Sequence, residues 1–186
     1  EVMAIDRSFE AALQKAIRSL EVGGISLLWE DPSWTQDGGP LSNLPLRPND
    51  LRLWAMMTAL RRGATPEDLS ACALVDLWFI KGLSRILDME RRLFSETLSS
   101  DLLWDAKRLG FSDKQISVLS DILPERVRDL RHQWNIRPVY KMVDTCAAEF
   151  EAVTSYFYST YEQENEAISL PGPKALVVGS GPIRIG

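Results

Sequence analysis

The sequence contains few of the residues from which metal sites and disulfide frameworks are built. It has one histidine, His132, and two cysteines, Cys72 and Cys146, among 186 residues. A single histidine excludes a histidine-rich metal site. Two distant cysteines without a CxxC pair exclude the disulfide framework of a small secreted domain. We therefore predict two reduced thiols, no metal site and a cytoplasmic protein.

The chain also lacks long apolar runs and an excess of positive charge. No run approaches the roughly 20 apolar residues of a membrane helix, and no signal-like segment opens the sequence. We therefore expect no membrane partner. The formal net charge of −5 argues against nucleic acid as the main partner, because nucleic-acid-binding domains usually carry excess Lys and Arg.

What the sequence does contain is a series of helix signals between residues 6 and 134, which predicts six or seven helices. Asp6 or Ser8 is placed to cap the first helix, and Gly23 and Gly24 are placed to end it. The apolar stripe between them is Phe9, Leu13, Ala16, Ile17 and Leu20. Residues 27–49 are rich in Pro and Gly, which predicts either an irregular loop held by Trp29 and Trp34 or the remnant of an insertion.

Later helices carry sharper boundary signals. Thr65 followed by Pro66 predicts a helix start, as does the capping box of Ser112 and Gln115. The longest helix is predicted from Asp76 to about Glu96. Its buried side should hold Phe79, Leu83, Ile86, Leu87 and Phe94. Its wet side should hold Asp88, Glu90, Arg91 and Arg92.

The pattern changes after residue 135. Val139 to Val143 and Ser155 to Tyr158 are predicted as short extended pieces, and residues 163–174 as an exposed connector. Ala175 to Val178 is a short apolar run of the kind that forms a buried parallel strand. Such a strand needs neighbours, so we expect the chain to be part of a longer protein. The predicted fold class is mainly α, with an extended C-terminal arm.

A glycine-rich loop follows that run, with glycines at 179, 181 and 186. The spacing GxGxxxxG differs from the dinucleotide fingerprint, and no GK[ST] follows for a P-loop. The spacing alone does not decide whether the loop is a tight structural turn or a contact for a phosphate group.

Three segments together resemble the large subunit of carbamoyl phosphate synthetase. The resemblance rests on PVYKMVDTCAAEF (138–150), YSTYE (158–162) and GSGPIRIG (179–186). The opening EVMAIDR (1–7), followed by SFEAALQKAIRSLE, is similar to the end of the first ATP-grasp domain of that family.

The resemblance implies a division of the chain. Residues 1–7 would be the tail of the first ATP-grasp domain, and 8–136 a helical oligomerisation domain. Residues 137–173 would be an extended arm. Residues 174–186 would be the first strand and Gly-rich loop of the second-half pre-ATP-grasp domain.

The resemblance also implies an activity for the parent protein. The family are ATP-dependent ligases that make carbamoyl phosphate from bicarbonate and glutamine-derived ammonia, for arginine and pyrimidine biosynthesis. They use Mg or Mn and a glutaminase small subunit. None of the family's catalytic, ATP or metal ligands matches a position here. The segment itself is therefore expected to be non-enzymatic and without cofactor, holding the two halves in register and presenting a self-association surface.

The resemblance also implies a set of site residues. In the family the glycine loop lines an internal tunnel that carries carbamate. On this basis Gly179, Gly181, Ile183, Arg184 and Gly186 would form the loop, with Arg184 guiding the anion and Ile183 beside it.

Other interpretations come from the residues themselves. Asp144, Cys146 and Glu149 suggest a thiol or metal site, although a catalytic thiol would need His132 as its base. Residues 111–131, followed by further basic residues, resemble a helix-turn-helix reader of DNA. A nucleotide-binding fragment whose glycine loop works alone is a third hypothesis.

The six tryptophans are many for a domain of this size. Most should lie in the core. One or two on a helix face would supply an association patch, because Trp is enriched at interfaces.

Overall fold

The structure is a computed structural model that describes residues 2–20, 26–147, 149–150, 156–169 and 171–179. Within these ranges the chain forms seven helices and two strands, so the mainly α prediction is confirmed. The helices are α1 (Phe9–Ser19), α2 (Arg52–Arg61), α3 (Pro66–Ala73), α4 (Leu77–Ser95), α5 (Ser100–Arg108), α6 (Asp113–Leu119) and α7 (Pro124–Gln133). The strands are β1 (Val139–Met142) and β2 (Phe157–Thr160).

The helix starts follow the capping signals of the sequence. Side chains of Ser8, Thr65, Asp76 and Ser99 each accept a backbone N–H of the first turn of α1, α3, α4 and α5. Ser112 and Gln115 form the predicted capping box of α6. These bonds satisfy N–H groups that would otherwise lack partners, which fixes where each helix begins.

The core is built around α2 and α4. Every residue of α2 from Trp54 to Leu60 is buried, and α4 packs against α1, α2, α3, α5 and α6. Leu83, Ile86 and Leu87 of α4 are buried as predicted. Within the described residues no helix is long and apolar enough to cross a membrane.

The irregular segment before α2 is held down by aromatic rings and by two arginines. The Trp29 ring contacts those of Trp34 and Trp54, with centroids 5.7 and 6.2 Å apart. Arg61 Nη2 donates to the carbonyl of Leu27 at 2.7 Å, and Arg62 Nη2 to that of Trp34 at 2.8 Å. The predicted loop, with Trp29 and Trp34 anchoring it, is therefore confirmed.

Three details of the predicted helices are wrong. Helix α1 ends at Ser19, capped by Leu20, before the two glycines at 23 and 24, which lie outside the described residues. Phe79 and Phe94 are 45% and 81% exposed, although their helical spacing placed them on the buried side of α4. Glu90 is buried, because Arg61 of α2 reaches it with two hydrogen bonds of 2.9 Å.

The first helix buries more polar atoms than its apolar stripe predicts. Glu10 and Gln14 are buried together with Ala11 and Ile17. Gln14 Nε2 donates to the carbonyl of Leu109, and Gln14 Oε1 accepts from Gln115 at 2.8 Å. These two bonds satisfy both ends of the amide, so α1 can lie against the α5–α6 turn without an unpaired buried group.

The C-terminal arm is a small hairpin. Strands β1 and β2 pair antiparallel, with Val139 opposite Thr160 and Met142 opposite Phe157. Their bounds lie close to the predicted extended pieces, although Ser155 lies outside the described residues. Lys15 Nζ of α1 donates to the carbonyl of Ser159 in β2. Thr160 Oγ1 of β2 donates to Asp6, which precedes α1. The hairpin is thus fastened to the helical domain.

Ala175–Val178, predicted as the first strand of a further domain of the parent protein, belongs to no sheet of the described residues, so that strand stays a prediction. Leu176, Val177 and Val178 are each about nine-tenths exposed. A parallel strand needs neighbouring strands to satisfy its backbone and cover its faces, and the described chain offers none there.

One close contact between α1 and α4 yields a stability prediction. The Phe9 ring lies directly on Gly82, where an added Cβ would collide with the ring. In an open helix, Gly→Ala should stabilise by about 1 kcal/mol. Here we expect Gly82→Ala to destabilise the protein by about 1 kcal/mol, measured by urea unfolding, because overpacking outweighs helix propensity.

The matched control is the same change in a Phe9→Ala background. With the ring removed, Gly82→Ala should stabilise by about 1 kcal/mol. An increase in stability on Gly82→Ala in the wild-type background would contradict the packing argument.

Candidate functional site

The glycine loop is the first place where sequence reasoning expected function. Gly179 is exposed, with open space around its Cα. Gly181, Ile183, Arg184 and Gly186 lie outside the described residues, so their role stays a prediction.

The segment around Cys146 has the geometry of a tight turn. The Cys146 N–H donates to Asp144 Oδ1 at 2.8 Å, and the Glu149 N–H donates to the Cys146 carbonyl at 3.0 Å. In the described part of the chain, no group of three His, Cys, Asp or Glu side chains is placed to hold a metal ion. Both cysteines are free thiols. These contacts favour a structural role for the segment.

Two of the basic residues on which the helix-turn-helix hypothesis rests make contacts within the protein. Arg131 donates to Asp113 Oδ2 through Nε and Nη2, both at 3.2 Å, and to the Ile136 carbonyl. Lys141 is paired with Glu166 at 3.0 Å. These two cations are used to hold the fold together, which leaves the exposed Arg126, Arg128 and Arg137 for any phosphate contact.

The feature that stands out on the surface is a group of three aromatic rings, Phe9, Trp78 and Phe79, called here the aromatic patch. Their centroids lie 5.3 Å (Phe9–Trp78), 5.4 Å (Phe9–Phe79) and 5.0 Å (Trp78–Phe79) apart, in tilted or edge-to-face arrangements. Trp78 is 56% and Phe79 45% exposed. Contiguous exposed aromatic surface of this kind typically marks a contact site.

Local structure explains why the two α4 rings point outward. Helix α3 ends at Ala73 and is followed by Leu74, which has a left-handed backbone (φ 55°). Asp76 then caps α4 by accepting a hydrogen bond from the Trp78 N–H at 2.8 Å. The first turn of α4 therefore begins at a fixed angle. Its core-facing residue is Ile80, which is fully buried, so its neighbours Trp78 and Phe79 are directed away from the core.

The surroundings of the aromatic patch carry both signs of charge. Asp76 and Lys81 are exposed on either side of the two α4 rings along the chain. Arg85, one turn further, forms an ion pair with Glu10 of α1. The prediction that one or two tryptophans lie on a helix face is thus confirmed by Trp78. Trp54 is buried, and the other four tryptophans are partly buried against the core.

A second notable arrangement is a buried ionic cluster formed by Lys107, Asp113, Arg131 and Tyr161, called here the Lys107 cluster. Lys107 Nζ donates to Asp113 Oδ1 at 2.9 Å and to the Phe111 carbonyl at 2.8 Å. The same ammonium lies 5.0 Å from the centre of the Tyr161 ring. The cluster joins α5, α6, α7 and the residue that follows β2.

Burial and pairing act on the titratable groups of the Lys107 cluster in known directions. Burial lowers the pKa of Lys107 and raises the pKa of Tyr161, since both shifts favour the neutral form. Burial alone would raise the pKa of Asp113, but Lys107 and Arg131 outweigh it and hold that pKa below its usual range.

The fold is a helical module, and the aromatic patch gives it a surface suited to contact. Comparison with known families agrees. The family described as carbamoyl-phosphate synthetase large chain, oligomerisation domain, matches residues 1–135. The chain belongs to this family.

Curated relatives extend the similarity to the whole sequence. The chain is 55% identical to a carbamoyl phosphate synthase large chain of Thermomicrobium roseum. It is 46% identical to one of Caldanaerobacter subterraneus subsp. tengcongensis and 47% identical to one of a Thermoanaerobacter species. Each alignment covers 186 residues, which is 100% of this chain and 17% of the relative. The chain therefore spans about a sixth of the length of these relatives.

Sequence reasoning missed two residues of the aromatic patch. Phe9 and Phe79 were both assigned to core faces by their helical spacing. The signal that could have located them is Gly82, because a glycine within a long helix often marks a close approach by another group.

The Lys107 cluster gives a pH-dependent prediction. Asp113→Asn removes the counter-ion of a buried ammonium and should destabilise the protein by about 3 kcal/mol at neutral pH. Because the folded-state pKa of Asp113 is lowered, its contribution is complete above the ordinary Asp range and is lost as pH falls through the folded pKa. The difference between wild type and variant should therefore shrink in acid, measured by urea unfolding.

Asp129→Asn is the matched control, because Asp129 is exposed on α7. It should change stability by less than about 0.5 kcal/mol at any pH. A difference for Asp113→Asn that is constant from neutral pH to strong acid would contradict the assigned ion pairing.

Proposed function

We propose that this chain is the self-association module of its parent protein and that the aromatic patch is its contact surface. The observation that carries the proposal is the exposed three-ring group on α1 and α4. The family description supports an oligomerisation role. Aromatic side chains supply large contact area at small conformational cost, so they commonly dominate the energy of interfaces.

The proposed occupant is a second copy of the chain. In a two-fold dimer the same patch meets itself, so its rim should carry charges of both signs. Asp76 and Lys81 beside the rings meet that requirement. The remaining domains of the parent are the other expected neighbours of this module, and residues 137–173 would form the arm that connects them.

For the full-length protein we propose an ATP-dependent ligase of the cytoplasm. It would make carbamoyl phosphate from bicarbonate and glutamine-derived ammonia, with Mg or Mn and a glutaminase small subunit, in arginine and pyrimidine biosynthesis. Support comes from the names of the relatives and from the sequence resemblance. Residues 179–186 would then line the tunnel between the two synthetase halves, with Arg184 guiding carbamate.

The module itself should contribute no catalytic group. We expect the isolated chain to show no bicarbonate-dependent ATP hydrolysis in the presence of Mg, measured by phosphate release. The full-length protein, prepared in parallel, is the control and should be active. Measurable turnover by the isolated chain would contradict the non-catalytic assignment.

The self-association proposal is tested by sedimentation equilibrium over a wide concentration range. The wild-type chain should form a concentration-dependent dimer that ATP and DNA leave unchanged. Trp78→Ala should weaken the dimer by roughly thirtyfold, the effect of losing about 2 kcal/mol at an interface hot spot.

Phe94→Ala is the matched control, because Phe94 is an exposed aromatic residue near the other end of α4. It should leave the dimer unchanged. The aromatic patch is refuted as the contact surface if the wild-type chain stays monomeric throughout, or if Phe94→Ala weakens the dimer as much as Trp78→Ala.

A further inference from the structure

A cleft that shares no lining residue with the aromatic patch has no role in the function proposed above. It has a volume of about 280 Å³ and lies where α1, the α5–α6 turn and the end of β2 meet. Three cationic side chains line it, Lys15, Arg18 and Lys107. Lys107 is deeply buried, whereas Arg18 lies at the exposed rim.

The charges around this cleft are unbalanced. Asp6 and Asp113 are the carboxylates of its lining, and each is already bound to a lysine, at 2.7 and 2.9 Å. Arg131 contacts Asp113 as well. The three cationic side chains of the lining, Lys15, Arg18 and Lys107, therefore face two carboxylates, which leaves an excess of one positive charge.

Arg18 is the cation with unused hydrogen-bonding capacity. Its Nη1 donates to the Gly110 carbonyl at 2.5 Å. In the part of the chain that the structure describes, no carboxylate lies within ion-pair distance of its guanidinium. A guanidinium has five N–H donors in a planar fork, so most of the Arg18 donors remain available for a ligand.

Burial acts on the pKa values of two cations of the cleft. Although much of Arg18 is exposed, partial burial lowers its pKa, with Asp6 and Tyr161 opposing the shift. Burial also lowers the pKa of Lys107, and the nearby charges of Arg131 and Arg18 add to the shift, whereas Asp113 opposes it. An anion in the cleft would stabilise both cations.

We propose that this cleft binds a phosphate group, with Arg18 as its main ligand and Lys107 as the buried cation beneath it. A phosphate carries a charge of about −1.5 to −2 at neutral pH, so the excess positive charge of the lining would attract it. Its tetrahedral oxygens also suit the arginine fork, which forms paired hydrogen bonds to phosphate. The source is either inorganic phosphate or a phosphate monoester of a small metabolite.

The cleft favours a small anion over an acidic side chain of another protein. Its walls are fixed by short hydrogen bonds from Lys15 to the carbonyls of Ile5 and Ser159 and from Lys107 to that of Phe111. A cleft of about 280 Å³ with walls held in this way fits a compact ligand. An acidic protein segment would instead need an open groove along which its backbone could lie.

The test is calorimetric titration of the chain with inorganic phosphate and, separately, with glycerol phosphate, at constant ionic strength. Binding at millimolar concentration is expected for at least one of them, and the stronger ligand identifies the source. Arg18→Gln should weaken binding by roughly tenfold or more, as loss of charged hydrogen bonds predicts. Arg18→Lys should recover part of it. Thermal unfolding checks that the variants remain folded.

Arg128→Gln is the matched control, because it removes the same charge from an exposed position on α7. It should leave phosphate binding unchanged. Equal weakening by Arg18→Gln and Arg128→Gln would show general charge attraction and overturn the site. Absence of binding by both phosphates would also overturn it. A change in sedimentation on Arg18→Gln would then indicate that a carboxylate from a second copy occupies the cleft.

Discussion

The burial of the Lys107 ammonium is the constraint on which the C-terminal half of the structure depends. A buried cation costs several kcal/mol of desolvation unless its partners are held in place. The Phe111 carbonyl and Asp113, which lie in one turn, and the distant Tyr161 ring supply those partners. Arg131 approaches the same carboxylate from α7. The buried Lys107 charge therefore influences the position of α6, the orientation of α7 and the packing of the hairpin against the helices.

The N-terminal half depends on a different kind of contact, in which an aromatic ring fills the space beside a glycine that has no side chain. Phe9 occupies the space left by Gly82 and so brings α1 close to α4. The same ring supports Trp78 and Phe79 at the surface. One residue thus serves both the packing of the fold and the shape of the aromatic patch. Because the rings support one another, the patch is already ordered before any partner arrives, which lowers the entropic cost of association.

Local features were predicted well because their causes are local. The caps at Thr65, Asp76 and Ser112 involve bonds to residues within three positions, so the sequence alone contains every participant. Long-range features were predicted poorly. Glu90 was assigned to the wet side of α4, because its partner Arg61 lies 29 residues away and nothing in the local pattern identifies it. Phe79 was assigned to the core for a similar reason: helical spacing shows which residues share a face but not whether another element covers that face.

By itself, the sequence determined the mainly α class, most helix boundaries and, through the segments at its two ends, the family to which the chain belongs. These depend on short patterns of caps, turns and motifs. Only the tertiary structure decided which aromatic residues reach solvent, which charges are buried in pairs and where positive charge is left in excess. Those properties arise when distant segments pack together, because burial and ion pairing depend on neighbours in space.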